Sequence, residues 1–324
     1  RFIVQKNDRF ENLYIVTYKP YFNYQLRFHT RLLFDFLMQF QVKMLLKQIG
    51  RKIDIVWCFD PNLYANLRWF NADVNIFHPV DQLNYDYQIN VADSADVVFS
   101  VSEVILNKFR HKEVPRYLIN HGLAGYFEEY SLKALRNECK PSRVVNIGYT
   151  GNLLLAALDR NAMRKIIDEN PDINFYFWGP FSFDDSNLSG LDNEETREFV
   201  NFLKNKINVV LKGATHPQIL AKEIQEMDGF LVCLDIRIDP NKGSNSHKII
   251  EYLSTGKVVI SNYISTYKDK KDLIAMTDEE ANLKLPELFK KVIGNLSNYN
   301  SVELHKKRIE YALDNTYAKQ IERI

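Results

Sequence analysis

The stretch GSNSHKIIEYLSTGKVVIS, Gly243 to Ser261, reads as a polar loop, a short helix from about Ser246 to Thr255, and a buried strand. Lys248 falls in the first turn of that helix and Glu251 on its otherwise apolar body. The unpaired N–H groups of a helix start carry partial positive charge and favour anions, so a cation there is mildly unfavourable by itself. Two readings stand open. Lys248 and Glu251, three apart and therefore surface neighbours, can form a solvated pair that contributes only about 0.2–0.5 kcal/mol. Alternatively, the helix terminus, the lysine and the carboxylate together bind a ligand with a phosphate end and a hydroxyl end.

The alternation of β-rich run and helix extends outward on both sides. From Leu13 it runs LYIVTYKP, a helix from Thr30 to Ile49, DIVWCFDP, a helix from Asn62, VNIFHPVD, a helix from Tyr85, VVFSVSE, a helix from Glu103, and RYLINHG. This βαβα order implies buried parallel strands. A polar interval near Glu128 to Ser142, with Pro141, closes the series. The rhythm restarts with RVVNIGYTGN, a helix from Ala156 to Glu169, INFYFWGP, a polar excursion through Asp184 to Glu195, NVVLKG, a helix from Pro217 to Met227, and GFLVCLDI. The opening stretch comes next, and helices over Ala281 to Leu296 and Ser301 to Ile324 end the chain. The expected architecture is α/β, with two Rossmann-like, doubly wound parallel sheets: a first domain over residues 1–135, a second over 143–299, and a closing helix over 300–324 that returns to the first. Ligands of such sheets bind at the carboxyl ends of the strands, which places the expected site between the two domains.

A chain of 324 residues that is 46% hydrophobic and 13% aromatic has the material for two cores. With 42 basic and 41 acidic residues the formal net charge is +1, so no whole-molecule field draws nucleic acid, and none is expected as a partner. The cysteines, Cys58, Cys139 and Cys233, are odd in number and lack metal-type spacing. Cys58 and Cys233 sit in apolar runs and read as reduced core residues, which implies a cytosolic setting. No apolar run approaches the roughly 20 residues that span a bilayer, and no signal peptide is visible. The chain opens on Arg1 rather than Met. The true N-terminus is therefore expected to lie ahead of it.

Four strand ends carry polar residues: Asp60-Pro61, His78-Pro79 with Asp81, Gly148-Tyr149-Thr150-Gly151, and the loop before Ser246. GYTGN is a glycine turn without the full G-x-G-x-x-G or an acidic ribose partner about twenty residues on. His78 is a structural histidine or a site residue, and Asp60 and Asp81 are helix caps or catalytic carboxylates. The absence of G-x-S-x-G, a Walker lysine motif and H-E-x-x-H removes the hydrolase elbow, the P-loop and the zincin readings. The helix from Thr30 to Ile49 carries Leu33, Phe36, Leu37, Phe40, Met44 and Leu45, with Arg31, Lys43, Lys47, Arg51 and Lys52 beside them. It reads as core-facing, with a basic amphipathic surface on anionic lipid as the second reading.

Taken together, these pieces resemble the GT-B glycosyltransferases, most closely the family-4 retaining type that uses nucleotide-sugar donors. The resemblance runs from about Asp54 onward and is strongest in NSHKIIEYLSTGKVVIS. ADVVFSVSE with VPRYLINHGLAGYF, then NFYFWGP, NVVLKG and MDGFLVCLD, and finally YALDNTYAKQIERI, support it. It implies that Glu251 accepts hydrogen bonds from the nucleotide ribose. Backbone amides around Ser244, Asn245 and Ser246, with Lys248, would hold the diphosphate at the Gly151 turn; the loop Gly213 to Ile219 would border the base, and His78 would lie near the donor sugar. The chain departs from the family in carrying Gly243 where the first glutamate of Glu-x7-Glu stands. It also lacks the arginine and lysine after the first strand of the second domain, where Asn152 and Asp159 stand and Arg160 is the nearest cation.

The resemblance implies transfer of a sugar from a UDP- or GDP-linked donor to a glycan or lipid-linked acceptor, with retention at the anomeric carbon and with no metal or further cofactor. The setting is cytoplasmic, with peripheral contact at the inner face of the cell membrane. A nucleotide-sugar epimerase on the same fold and a non-catalytic nucleotide-sugar-binding subunit are the alternatives.

Overall fold

The computed structural model describes residues 2–136, 144–182, 190, 192–278 and 281–324. Cys139, Pro141 and the Asp184 end of the polar excursion lie outside the described residues. The chain divides into two compact units, 1–119 and 120–324.

In the first unit, β1 (Phe2–Lys6) and β2 (Tyr14–Tyr18) pair antiparallel. A one-turn helix α1 (Leu26–His29) leads into α2 (Arg31–Ile49). Then come β3 (Ile55–Cys58), β4 (Val74–Phe77), α3 (Asp86–Asn90), β5 (Val97–Ser100), α4 (Glu103–Leu106) and β6 (Arg116–Leu118). The sheet order β3-β4-β5-β6 is parallel throughout, as the βαβα rhythm requires. One face packs Cys58, Phe77 and Val98 against Leu67, Leu83, Ile105 and Phe109.

Two expectations change here. The run LYIVTYKP does not open the parallel series; it is the second strand of a hairpin. The Asn7 side chain accepts from the Arg9 and Phe10 amides, and the Asn7 amide donates to Leu13 across the turn, so the nearest return strand takes the pairing. The helix α2 starts after Thr30 as expected and ends at Gly50 in the left-handed region (φ 65°). It buries Phe34, Met38, Gln41 and Val42, while Leu33, Phe36 and Phe40 point outward. Apolar residues surround this helix, so a sequence count cannot choose the inward stripe.

The second unit opens with α5 (Gly125–Ala134). Next come β7 (Asn146–Thr150), α6 (Arg160–Glu169), β8 (Asn174–Trp178), α7 (Glu194–Lys204), β9 (Val209–Gly213) and α8 (Pro217–Glu223). After β10 (Gly229–Val232), α9 (His247–Leu253), β11 (Val258–Ser261) and β12 (Ile274–Met276), the chain ends in α10 (Leu285–Ile293), α11 (Leu296–Tyr299), α12 (Val302–Leu313) and α13 (Tyr317–Glu322). The parallel sheet runs β12-β11-β10-β7-β8-β9. Its strands are near-continuous apolar runs because helices cover both faces. Cys58 and Cys233 are buried thiols in their respective cores.

The division at Ile119 precedes the interval read as the domain break, because the segment before that interval packs on the second sheet. Leu123 and Phe127 join the second core, the Leu123 amide donates to the Asn315 carbonyl, and the Tyr317 amide donates back to Leu123. The closing helices belong to this second unit as well. The buried Arg308 of α12 donates to the carbonyls of Leu273 and Gly256, the latter just past the end of α9. Helix α6 begins at Arg160 and not at Ala156, since Asp159 caps it by accepting from the Ala162 amide.

Candidate functional site

Glycines stand at the ends of three adjacent strands of the second sheet: Gly151 follows β7, Gly179 follows β8 and Gly213 closes β9, with φ 151°, 135° and 73°. The Gly151 amide donates to the Trp178 carbonyl at 2.7 Å, and the Gly179 amide to the Gly213 carbonyl at 2.8 Å. A β-carbon on Gly179 would run into the Gly151 carbonyl. The carboxyl edge of the sheet is thus a ledge of bare backbone, closely packed by its own neighbours at Gly151 and Gly179.

Helix α9 is fixed beside this ledge. Tyr252 stacks on Phe230 of β10 with ring centroids 4.3 Å apart. Its hydroxyl oxygen accepts from the Thr150 amide at 2.7 Å and bonds the Thr150 hydroxyl at 2.8 Å. With Tyr252 pinned to the last residue of β7, its neighbours Lys248 and Glu251 are held at the same edge. Lys248 Nζ lies 5.8 Å from the centre of the Tyr149 ring and fills the space that a Gly151 β-carbon would take. Glu251 is mostly buried, and no hydrogen bond among the described residues reaches its carboxylate. Burial pushes its pKa up to about 7, against the downward pull of the Lys248 ammonium. The Tyr126 phenol of α5 is raised by burial first and by the Glu251 charge second, which places α5 near the same carboxylate.

Three further polar atoms lie along 149–160 without a partner among the described residues: the Tyr149 hydroxyl, Asn152 Nδ2 and Arg160 Nε. Such groups are rare in native interiors and need a water, an ion or a ligand. Arg160 is buried and turns its remaining nitrogens to the Leu155 and Leu158 carbonyls at 2.9 and 3.4 Å. Desolvation lowers its pKa.

The loop before α9 is anchored on both sides. The Ser244 carbonyl accepts from the Thr266 amide, the Thr266 hydroxyl and the Ser265 hydroxyl. Asn245 Nδ2 donates to Asn120 Oδ1 at 2.9 Å, and Asn120 Nδ2 reaches Tyr311 and Asn315 of the closing segment. Ser246 occupies the N-cap of α9 without a side-chain cap bond.

In the first unit, His78 follows β4 among the rings of Trp57, Phe59 and Phe99. Its Nδ1 accepts from the Trp57 indole N–H at 3.2 Å, which assigns the proton to Nε2. That buried N–H has no partner among the described residues. Burial lowers the His78 pKa to about 4, so the ring is neutral above that pH.

The structure brings Gly151, Lys248 and Glu251 together, with Ser244, Asn245 and Ser246 leading into their helix and Gly213 two strands across the ledge. Arg160 is tied to its own loop, and His78 stands on the first unit. Sequence reading missed Tyr252 and Asn120, whose partners are far along the chain, and Gly179, which read as an ordinary strand residue; it noted Tyr149 only as part of the GYTGN turn. The WGP triplet was the available signal for Gly179. Among the described residues no group of three or more His, Cys, Asp or Glu is arranged to hold a metal, and no helix is long and apolar enough to cross a membrane.

No protein-family model matches the sequence, and no curated protein matches it either. Solved structures do share the fold. Sucrose-phosphate synthase from Thermosynechococcus elongatus superposes with a TM-score of 0.64 at 12% identity, over 94% of this chain and 78% of that one. HepE from Anabaena, solved with UDP and glucose, gives 0.60 at 12% identity over 94% and 82%. The UDP-GlcNAc 2-epimerase of Neisseria meningitidis, bound to UDP-GlcNAc, gives 0.56 at 12% identity over 89% and 80%. The fold is GT-B, two Rossmann-like units in series.

Proposed function

We propose that this chain transfers a sugar from a nucleoside diphosphate donor to a glycan or lipid-linked acceptor, with retention at the anomeric carbon. The observation that carries the reading is a desolvated carboxylate, Glu251, that receives no hydrogen bond among the described residues and stands one helical turn from an ammonium seated on bare backbone at a strand end. A ribose would donate hydrogen bonds to the Glu251 carboxylate, and a diphosphate would lie against the Lys248 ammonium. Tyr149, Asn152 and Arg160 have polar atoms to offer the same ligand.

In this reading the bond between the anomeric carbon and the phosphate oxygen breaks, and its electron pair stays on the leaving diphosphate. Lys248 stabilises that developing charge. The acceptor oxygen bonds to the same face of the sugar, and its proton passes to the departing phosphate, so no separate protein base is required. His78 contributes one neutral N–H to the transferred sugar. UDP- and GDP-linked sugars both fit this description.

A screen of nucleotide sugars by thermal shift and calorimetry, followed by assay with glycan and lipid-linked acceptors, tests the proposal. A donor at about 100 times its dissociation constant adds roughly 2.7 kcal/mol of stability. Conversion of the donor sugar without an acceptor would mark an epimerase, a reading favoured by the likeness to the Neisseria enzyme. Binding without turnover would mark a non-catalytic subunit, and no binding of any nucleoside diphosphate would sink the donor-site reading.

A further inference from the structure

The loop after β4 leads to two tyrosines that the candidate donor site does not use. Tyr85 is the N-cap of α3 and Tyr87 lies in its first turn. Their rings are stacked, with centroids 5.5 Å apart and an interplanar angle of 11°. Tyr87 is fixed by other contacts as well: the Arg31 guanidinium packs 4.2 Å from the centre of its ring, and its hydroxyl donates to Asn62 Oδ1 at 3.1 Å. Arg31 is itself tied to Asp35 and to the Asn62 carbonyl. Gln88 Nε2 donates to the same Asn62 oxygen, while Gln88 Oε1 accepts from the Asn84 and Tyr85 amides and holds the backbone that carries the outer ring. That outer ring, Tyr85, is 59% exposed. A flat aromatic surface is thus presented to solvent on a rigid support, with little side-chain entropy left to lose on binding.

The surroundings of the ring decide what it receives. Asp81, Asn84 and Asp86 are exposed, and among the described residues from Asp81 to Asn90 Tyr85 is the one exposed large hydrophobic side chain. The surface is therefore one apolar face with a polar rim, far short of the roughly 1,000 Å² that a specific protein interface buries. A pyranose ring has the matching amphipathy. The C–H bonds on its face carry partial positive charge and favour the negative face of an aromatic ring, and the hydroxyls at its edge bond to carboxylates and amides. Charge favours a neutral sugar over an acidic one, because Asp81 and Asp86 flank the ring while Arg31 packs on Tyr87 and Lys108 donates to the Leu83 carbonyl.

We propose that Tyr85 is a stacking platform for one ring of a neutral glycan, with Asn84 and Asp86, its neighbours in the chain, bonding the hydroxyls of that ring. A glycan held there would be the acceptor of the proposed transfer, so this reading rests on the acceptor half of that function and names its chemistry. It is measured without nucleotide, and its failure would leave the donor site untouched.

Affinity electrophoresis of the full chain provides the test, in native gels containing soluble neutral polysaccharides of glucose, galactose or mannose, and in gels containing polygalacturonate, each against a gel without polysaccharide. Retardation is expected in at least one neutral gel and not with polygalacturonate. Tyr85→Ala should weaken it about fivefold or more. Tyr85→Phe should stay within about twofold of the parent, because the ring and not the hydroxyl makes the contact. Tyr85 is exposed, so circular dichroism and melting of both variants should match the parent. Absence of retardation in every neutral gel, equal retardation of Tyr85→Ala, loss in Tyr85→Phe, or stronger retardation by polygalacturonate would overturn the proposal. So would a solution dimer that Tyr85→Ala dissolves, since the ring would then be covered by a second copy.

Discussion

Lys248 Nζ occupies the space that a β-carbon on Gly151 would need, so the ammonium rests directly on the backbone where β7 ends. The two residues lie on elements joined by the contact of Tyr252 with Thr150, 102 positions apart. Gly151→Ala should therefore act in two ways. The φ of 151° is strained for alanine, at a cost of about 1–3 kcal/mol, and the new methyl displaces the ammonium. Calorimetry should show nucleoside diphosphate affinity reduced about tenfold or more, with nucleoside affinity little changed. Lys248→Ala should reproduce the affinity pattern without the loss of stability; diphosphate affinity equal to the parent's in Lys248→Ala would remove Lys248 from the phosphate subsite.

Glu251 links binding to pH and to stability. Its carboxyl titrates near 7 in the folded chain, against 4.5 as the reference value. The folded state therefore keeps a proton that the unfolded state releases. The contribution of Glu251 to stability is most favourable below the reference value and declines as pH rises to 7. Above that it settles at a deficit of about 3 kcal/mol. Glu251→Gln should raise the melting temperature by several degrees at pH 8 and hardly at all at pH 4. The same variant should bind nucleoside at least tenfold more weakly at pH 8, with less loss for a 2′,3′-dideoxy analogue. Parent affinity should rise as pH climbs through 7, and the glutamine variant should lack that rise. A variant neither stabilised nor weakened would return Glu251 to a solvated surface pair.

His78 is neutral at working pH, with Nε2–H as its donor. Its replacement by alanine should lower turnover far more than nucleotide affinity. No inflection between pH 6 and 8 in the turnover profile should belong to it. Trp57→Phe, which removes the bond that fixes the tautomer, should give a smaller loss in the same direction. Equal turnover in His78→Ala would leave the histidine as packing for Trp57, Phe59 and Phe99.

A fragment starting at Asn120 should fold and bind nucleotide, whereas one starting at Arg143 should not hold its site well. The shorter fragment lacks Asn120, which bonds Asn245, and also Leu123 and Phe127, which belong to the second core. Circular dichroism and calorimetry on the two fragments would decide it. Equal affinity would show that the segment 120–136 contributes nothing to the loop before α9.

Local signals made the helix and strand of the opening stretch legible: Ser246 at the cap, Ile249, Ile250 and Leu253 inward, and a buried run from Val258. The parallel order of the second sheet followed from the same alternation. The partner of Tyr14–Tyr18 was hidden, because a period of two fixes which side chains share a face and says nothing about which strand lies alongside. The inward stripe of α2 was hidden by apolar residues all round it. Within the candidate site, Lys248 and Glu251 stood out because they break a local rule, a cation in a first turn and a carboxylate on an apolar body. Tyr252 and Asn120 break no rule, and their roles exist only through contacts distant in sequence.

Arg308 adds a schedule to the architecture. The Gly256 carbonyl just past α9 finds its guanidinium partner 52 residues later in the chain. At synthesis rates of about 5–20 residues per second, the helix bearing Lys248 and Glu251 waits roughly 3–10 s for that partner. Until then the rear of α9 has an unmet buried acceptor, so the proposed nucleotide subsite should be among the last parts of the chain to set. Nascent chains arrested after residue 300 and after residue 324 allow a direct comparison, in which only the longer should retain nucleotide; equal retention would show that α9 matures without its anchor.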